Sequence, residues 1–299
     1  MDLFGYDFMM RALLGALIIG LAAPSLGVYL VQRRLSLIGD GIGHVALTGV
    51  GVGLLLHQSP VVTAVIVSVA GAVGVELIRQ RGRTSGDLAL ALLFYGGIAG
   101  GVVLVGLSDD SSNANLMQYL FGSLVTTSPQ DIVVITVLGV AVLTAMLAFR
   151  PAFFAVCNDE EYARVSGLPV GALNLLLAIT TAVTVTIAMR TVGLLLVSAL
   201  MVVPVAAAQQ VTRGFRSTMG AAMAIGFGAA GSGVVVSAEI DTAPGATTVV
   251  LALAAFLAVT VGSAGWRALR RRARPPHEVE PPDVVLREDE APMAGNPGR

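Results

Sequence analysis

An acidic residue and a histidine stand one helical turn apart in an apolar stretch of the chain. Asp40 and His44 lie four positions apart within residues 36–48. On a helix their side chains share one face, where a carboxylate oxygen and an imidazole nitrogen can both bind a divalent cation. This ligand set suits zinc, and also manganese or ferrous iron. The spacing predicts a metal site, and the alternative is an Asp–His hydrogen bond that ties helices together.

A second acidic pair precedes a turn near the end of the apolar part of the chain. Glu239 and Asp241 lie in residues 238–245, where Pro244 and Gly245 indicate a turn. The two carboxylates can attract or pass a cation at an outer gate, or they are ordinary solvated loop residues. The sequence favours neither interpretation. Glu76, one turn before a cluster of arginines, is predicted to pair with Arg79 or Arg81.

A polar segment at 157–169 interrupts two apolar runs. Asn158 or Asp159 is predicted to cap a short helix, and Gly167 to end it. A short amphipathic helix is a natural docking surface for a partner protein, while the alternative is an ordinary interfacial loop. The segment therefore carries a hypothesis about an interaction, with no chemistry of its own.

The elements that must position these residues are membrane spans. The chain is 55% hydrophobic and 12% charged, whereas soluble domains carry about 25% charged residues. A spanning helix needs about 20 apolar residues, which predicts an all-α membrane protein of about nine spans, with eight as the alternative. The candidate spans are 9–32, 36–56, 60–78, 86–107, 131–149, 171–189, 192–210, 217–237 and 244–265. The apolar piece at 115–126 is too short to cross and is predicted to be a half-helix or interfacial segment.

The distribution of arginine predicts the orientation. Positive residues concentrate in cytoplasmic loops, and 14 of the 18 arginines follow the first, third, fifth, seventh and ninth spans. The N-terminus is therefore predicted outside and the C-terminus inside. Residues 1–266 form the predicted membrane domain. Residues 267–299 form a predicted cytoplasmic tail, first basic and then rich in proline and acidic residues, and disordered by composition.

Two counts exclude function classes. All 18 basic residues are arginine, so the chain lacks the lysine of a G-x-x-x-x-G-K-[ST] phosphate-binding loop. The lone Cys157 excludes an internal disulfide and a cysteine-cluster metal site. No nucleophile–base set and no H-E-x-x-H motif occurs. An enzyme is not expected.

Several segments, in the same order along the chain, resemble segments of the ABC-3 permeases of bacterial zinc and manganese importers. The 33–44 segment RRLSLIGDGIGH is similar to a family segment in which a basic residue precedes Met/Leu-Ser-x-x-Gly-Asp-x-x-x-His. The 161–169 segment EYARVSGLP resembles its coupling segment. Further similar stretches are 115–124, 192–208 and 241–245. The resemblance runs from Phe8 to Trp266.

The resemblance implies a fold like the permease of the vitamin B12 importer with its first helix missing. It implies a homodimer of permeases in the bacterial cytoplasmic membrane, separate cytoplasmic ATPase subunits that hold ATP, and an extracytoplasmic metal-binding protein. The family's transport-path residues fall on Asp40 and His44, and its ATPase-coupling role on Glu161, Ala163 and Gly167. Neither a permanently bound cofactor nor a nucleic acid is expected.

The transported ion is expected to be zinc, with manganese or iron as the alternative. A proton-coupled secondary metal transporter is a further alternative, because an acid–histidine pair inside a membrane permits it.

Overall fold

The structure is a computed structural model that describes residues 7–81, 86–108, 120, 122 and 129–272. Within these residues every extended regular element is a helix. The helices are α1 (Asp7–Gln32), α2 (Ile38–Leu55), α3 (Pro60–Gln80), α4 (Gly86–Gly106), α5 (Pro129–Ala148), α6 (Arg150–Asn158), α7 (Glu160–Val165), α8 (Val170–Val192), α9 (Leu194–Val211), α10 (Phe215–Ile240) and α11 (Pro244–Arg272). The all-α prediction is confirmed.

The number of spans agrees with the predicted range. In the described part of the chain, eight helices are long and apolar enough to cross a membrane. A ninth span exists if α5 and α6 count together, because Ile132–Ala148 and Arg150–Asn158 are bent by 63° at a short break. The bend occurs at Phe149, and Pro151 lies at the start of α6. Proline is favoured in a first helical turn and is poorly accommodated further along, so it starts a new helix here.

Glycines bring α2 into backbone contact with its neighbours. A Cβ at Gly97 of α4 would lie 2.6 Å from the Val45 nitrogen and 2.7 Å from the His44 carbonyl carbon. On another face of α2, a Cβ at Gly49 would lie 2.5 Å from the Ala64 Cα of α3. Small residues allow this close approach in lipid, where the hydrophobic effect does not drive helices together. The helix that carries Asp40 and His44 is thus fixed between two others.

The two ends of the bundle can be assigned from ring contacts. Tyr29, near the end of α1, lies 5.4 Å from Phe215 at the start of α10, and Phe154 of α6 lies 5.1 Å from the same ring. We call this the arginine end, because Arg33 follows α1 there. α10 has 26 residues and rises about 39 Å at 1.5 Å per residue. Glu239 and Asp241 therefore lie at the far end of the bundle.

The chain has two compact units, residues 1–263 and 264–299, and the second is described only to Arg272, at the end of α11. The predicted tail beyond that point and the predicted interfacial segment at 115–126 lie outside the described residues, except for Leu120 and Gly122. The division of the chain at residue 266 and the orientation with the N-terminus outside stay predictions.

Candidate functional site: a carboxylate–imidazole pair and a loop helix

The faces of α2 determine where its polar pair points. Gly39 and Gly43 face α9, since a Cβ at either would meet Met201 or Leu194 of that helix within 3.0 Å. Gly41 faces α4, since a Cβ there would lie 2.8 Å from the Leu93 Cδ2 atom. With 3.6 residues per turn, Asp40 and His44 fall in the sector between these two faces. The glycines thus place α2 against α9 and α4, with Asp40 between the two contact faces and His44 at the edge of the face that contacts α4.

Asp40 and His44 do come together. The His44 Nε2 atom lies 3.9 Å from Asp40 Oδ1, and the side chains are 17% and 29% exposed. This separation is too long for a hydrogen bond, so each group keeps capacity for another partner. The His44 Nδ1 atom is buried and has no hydrogen-bond partner among the described residues. The hydrogen-bonded tie considered from the sequence is therefore not formed in this structure.

Neighbouring groups fix the orientation of the imidazole. The ring of Phe94 on α4 meets the His44 ring edge to face, with centroids 4.8 Å apart and planes at 80°. One turn further along α2, the Thr48 hydroxyl donates to the carbonyl of Gly97 at 2.9 Å. This bond, with the close backbone contact at Gly97, joins α2 to α4 beside the pair.

One chain supplies only part of a metal coordination sphere. No group of three or more His, Cys, Asp or Glu side chains lies together within the part of the chain that the structure describes. Asp40 and His44 can supply one oxygen and one nitrogen, whereas zinc usually takes four ligands. A cation here would need ligands from water or from another chain.

The loop helix α7 follows the predicted capping pattern. The Asp159 carboxylate accepts from the Tyr162 backbone amide at 2.9 Å, which is an N-cap bond. Gly167 has φ +85°, and the Gly167 and Leu168 amides donate to the Arg164 and Ala163 carbonyls, each at 3.1 Å. This pair of bonds is a Schellman end, for which glycine is favoured.

The three predicted coupling residues have different environments. Glu161 and Gly167 are exposed, whereas Ala163 is fully buried. Ala163 therefore cannot contact a partner protein directly, and its small side chain instead lets α7 lie close to the bundle. Sequence reasoning missed Tyr162 and Val165, which are 68% and 88% exposed. Two exposed apolar side chains on a six-residue loop helix form an apolar patch that the polar composition of the segment conceals.

Sequence reasoning also missed Glu160. Its carboxylate accepts from Arg33 Nη2 at 2.8 Å and from Asn174 Nδ2 at 3.4 Å, and it lies 4.0 Å from Arg79 Nη1 and 3.6 Å from Arg164 Nη2. We call Glu160, Arg33, Asn174, Glu76 and Arg79 the junction cluster. These residues are distant in sequence, so no local pattern predicts their contact.

The electrostatics of the junction cluster are nearly balanced. Arg79 donates two hydrogen bonds to Glu76, each 2.9 Å, which confirms the predicted pairing of Glu76. Arg33, only 7% exposed, also donates to Asn174. Burial and the nearby Arg79 lower the pKa of the Arg33 guanidinium, while Glu160 raises it. Arginine stays protonated in proteins, so its buried charge needs the Glu160 carboxylate.

The remaining predicted residues lie apart from the pair. Glu239 and Asp241 are exposed, and Asp241 ends α10 with φ +50°. Behind them, the Thr242 carbonyl accepts from the Ser237 hydroxyl, which fixes the turn. This position is compatible with either interpretation of the two acids, a gate or a wet loop.

Eight helices of the described residues are long and apolar enough to cross a membrane, which defines a multi-pass membrane protein. The chain belongs to the ABC 3 transport family, whose model matches residues 5–263. It is a permease subunit of a metal ABC transporter and a multi-pass protein of the inner membrane. The predicted family is thereby confirmed.

The names of similar proteins refer to transport of different metals. The high-affinity zinc uptake system membrane protein ZnuB of Haemophilus influenzae is 30% identical over 254 residues, 85% of this chain and 96% of the relative. The manganese transport system membrane protein MntC of Halalkalibacterium halodurans is 29% identical over 255 residues, 85% and 87% of the two chains. A probable iron transport system membrane protein of H. influenzae is 29% identical over 252 residues, 84% and 92%.

A solved structure shares the fold. A chain of PsaBC from Streptococcus pneumoniae, in complex with a Fab, superposes with a TM-score of 0.79 at 25% identity. The match covers 90% of this chain and 97% of the other. The helical arrangement described above is thus that of an ABC transporter permease.

Proposed function

We propose that this permease imports zinc across the cytoplasmic membrane, driven by ATP hydrolysis on separate subunits. The observation that carries the proposal is the Asp40–His44 pair, held 3.9 Å apart inside an apolar bundle. Ionisable side chains are costly within a membrane and mark ion paths. The oxygen and nitrogen ligands suit zinc, and the zinc uptake protein ZnuB is among the similar relatives.

Two copies of the chain would complete the ligand set. Each copy brings one carboxylate and one imidazole. Asp40 lies between the faces of α2 that contact α4 and α9, and the His44 ring packs against Phe94 of α4 with part of its side chain still exposed. A homodimer with this side of α2 at its interface offers two oxygens and two nitrogens, the number that zinc takes. Because a conducting site must also release its ion, long and partial ligation in each copy fits passage better than storage.

The partners follow from the two ends of the bundle. At the arginine end, α7 would dock an ATPase subunit through Glu161, Tyr162 and Val165. Ala163 would pack α7 against the bundle, and Gly167 would end the helix. The chain has no lysine for a phosphate-binding loop, so ATP would bind on the ATPase. At the far end, a metal-loaded extracytoplasmic protein would deliver the ion past Glu239 and Asp241.

Manganese or iron is the second candidate cargo. Relatives named for manganese and iron transport match this chain almost as well as the zinc relative. A mixed oxygen and nitrogen set also suits both ions. Proton-driven transport without an ATPase is the third candidate, and it differs from the others in needing no ATP.

The test is expression of the permease with its ATPase and binding protein in cells that lack their own metal uptake. Cellular zinc, manganese and iron are measured by elemental mass spectrometry for wild type, His44→Ala and Asp40→Asn at equal membrane abundance. We expect zinc to rise in the wild type. We expect zinc uptake to fall at least about tenfold in each variant, since even substitutions next to the ligands of a metal site lower metal affinity or activity by about this factor. An ATPase variant that cannot hydrolyse ATP is expected to abolish uptake.

Each outcome decides one part of the proposal. A rise in manganese or iron alone would replace zinc as the cargo. Uptake that persists without ATP hydrolysis would favour the proton-driven alternative. Uptake that is unchanged in both the His44 and the Asp40 variants would show that the pair is structural, and Glu239 and Asp241 would then be examined first.

A further inference from the structure

One carboxylate joins the loop helix to three membrane helices. Glu160 is the first residue of α7. Its Oε2 atom contacts Arg33, beyond the end of α1, and Arg79 of α3, while its Oε1 atom contacts Asn174 of α8. Both oxygens are therefore occupied by groups from other elements. The remaining contact, with Arg164, lies within α7 itself.

The Arg33 side of this cluster leads directly to the metal-site helix. Arg33 lies in the short connection between α1 and α2, and that connection is tied at both ends. The Leu35 amide donates to the Leu30 carbonyl at 2.8 Å, and the Ile38 amide donates to the Leu35 carbonyl at 3.0 Å. A displacement of Arg33 therefore moves the first turn of α2, where Asp40 lies.

The Arg79 side reaches α2 by a second route. Arg79 and Glu76 are at the end of α3, which packs against α2 through the close approach at Gly49. Glu76 is only 4% exposed and also accepts from Gln80 at 3.0 Å. These bonds make the end of α3 rigid, so a pull at Arg79 moves the helix end as a unit.

We propose that Glu160 is a positioning residue that transmits displacement of α7 through Arg33 and Arg79 to α2, and so to Asp40 and His44. This inference rests on the proposed function, because it assumes that an ATPase moves α7. Glu160 contacts no cargo and belongs to neither the metal pair nor the exposed patch on α7. Its role is to make the loop helix and the membrane helices move together.

A merely stabilising cluster and a transmitting one differ in a measurable ratio. Loss of stability lowers the amount of folded permease, but each folded molecule still moves the same number of ions per ATP. Loss of transmission leaves folded permease that hydrolyses ATP without moving metal. The ratio of metal transported to ATP hydrolysed therefore separates the two.

The experiment uses the full transporter in proteoliposomes, with binding protein loaded separately with zinc and with manganese. Metal entry and ATP hydrolysis are measured together for wild type, Glu160→Gln and Arg34→Gln. Arg34 is the control, because it adjoins Arg33, is exposed, and its substitution also changes the net charge by one unit, although in the opposite direction. We expect the ratio to fall at least about fivefold for Glu160→Gln, the lower range of coupling between sites, and to stay within twofold for Arg34→Gln.

The proposal is overturned if Glu160→Gln keeps the wild-type ratio while ATPase subunits still copurify with it. It is also overturned if Arg34→Gln lowers the ratio equally, because the effect would then not be specific to Glu160 and its contacts. If Glu160→Gln is not recovered folded, Glu160→Asp and Asn174→Ala are measured against the same criterion. If the wild type itself moves no metal with ATP, the proposed function fails first, which is a distinct result.

Discussion

Two polar regions of this permease lie near the same end of the bundle and are built in opposite ways. The Asp40–His44 pair has one long contact of 3.9 Å and a buried imidazole nitrogen without a partner among the described residues. The junction cluster instead pairs its charges, with hydrogen bonds of 2.8–2.9 Å from Arg33 to Glu160 and from Arg79 to Glu76.

The difference is the one that the two proposed roles, ion passage and transmission of movement, require. A buried charge without a partner is costly, so a junction that only joins helices is most stable when every donor and acceptor is used. A path for an ion needs the reverse, because binding must be weak enough for release. Uncommitted ligand atoms in one region and saturated ones in the other are the expected signatures of passage and of transmission.

Removal of Glu76 should cause the largest loss of stability and sharpen the contrast. Glu76→Gln leaves the Arg79 guanidinium, 22% exposed, without its two charged hydrogen bonds. We expect a loss of about 3 kcal/mol in the free energy of unfolding, since breaking a buried pair is costly and the remaining carboxylate, Glu160, lies 4.0 Å from Arg79. Unfolding in mixed micelles measures this loss. The double variant Glu76→Met with Arg79→Met should lose less, and a double variant that loses more would contradict the pairing argument.

Steric pressure on α2, the helix that carries Asp40 and His44, should have the next largest effect. Gly97→Ala places a methyl group 2.6–2.7 Å from backbone atoms of Val45 and His44. Overpacking of this kind costs about 2 kcal/mol, and it pushes α2 away from α4 at the Asp40–His44 pair. Gly96→Ala is the matched control, since a Cβ there meets no atom within 4 Å. Thermal unfolding and metal uptake of the two variants should differ, and equal behaviour would refute the close contact.

A smaller effect is expected from the hydrogen bond beside the pair. Thr48→Val removes the hydroxyl that donates to Gly97 and keeps the side-chain shape. Interhelical hydrogen bonds in membranes average about 0.6 kcal/mol. Thr180→Val, which loses bonds only within α8, is the control in the same unfolding assay. A loss above 2 kcal/mol in the free energy of unfolding for Thr48→Val would show that this bond holds α2 to α4, beside the Asp40–His44 pair, more strongly than expected.

The smallest effect is expected at the solvent-facing edge of the junction cluster. Arg164 is 70% exposed and lies 3.6 Å from Glu160 within the same helix. Exposed pairs of this kind contribute about 0.3 kcal/mol, so Arg164→Gln should barely change unfolding or the ratio of metal to ATP. A change in that ratio comparable to Glu160→Gln would mean that α7 itself, rather than its ties to the membrane helices, controls transmission.

Much of the fold was predictable from the sequence because spans are local features. Long apolar runs identify the helices, and their number fell within the predicted eight to nine. The bend between α5 and α6 was not predicted, since composition does not separate a continuous span from a broken one. The capping of α7 by Asp159 was predictable, because the cap and the helix are adjacent in the chain.

The sequence by itself determined the membrane class, the shared face of Asp40 and His44, and the pairing of Glu76 with a nearby arginine, which the structure shows to be Arg79. All three rest on spacings of three or four residues or on runs of one residue class, which helical periodicity converts into geometry. Only the tertiary structure decided that Ala163 is buried and that Glu160 meets Arg33, 127 positions away in the chain. Such contacts depend on which helices pack together. In lipid, helix packing depends on how small residues such as Gly97 fit against a neighbouring helix, and the sequence of one segment does not show which neighbour that is.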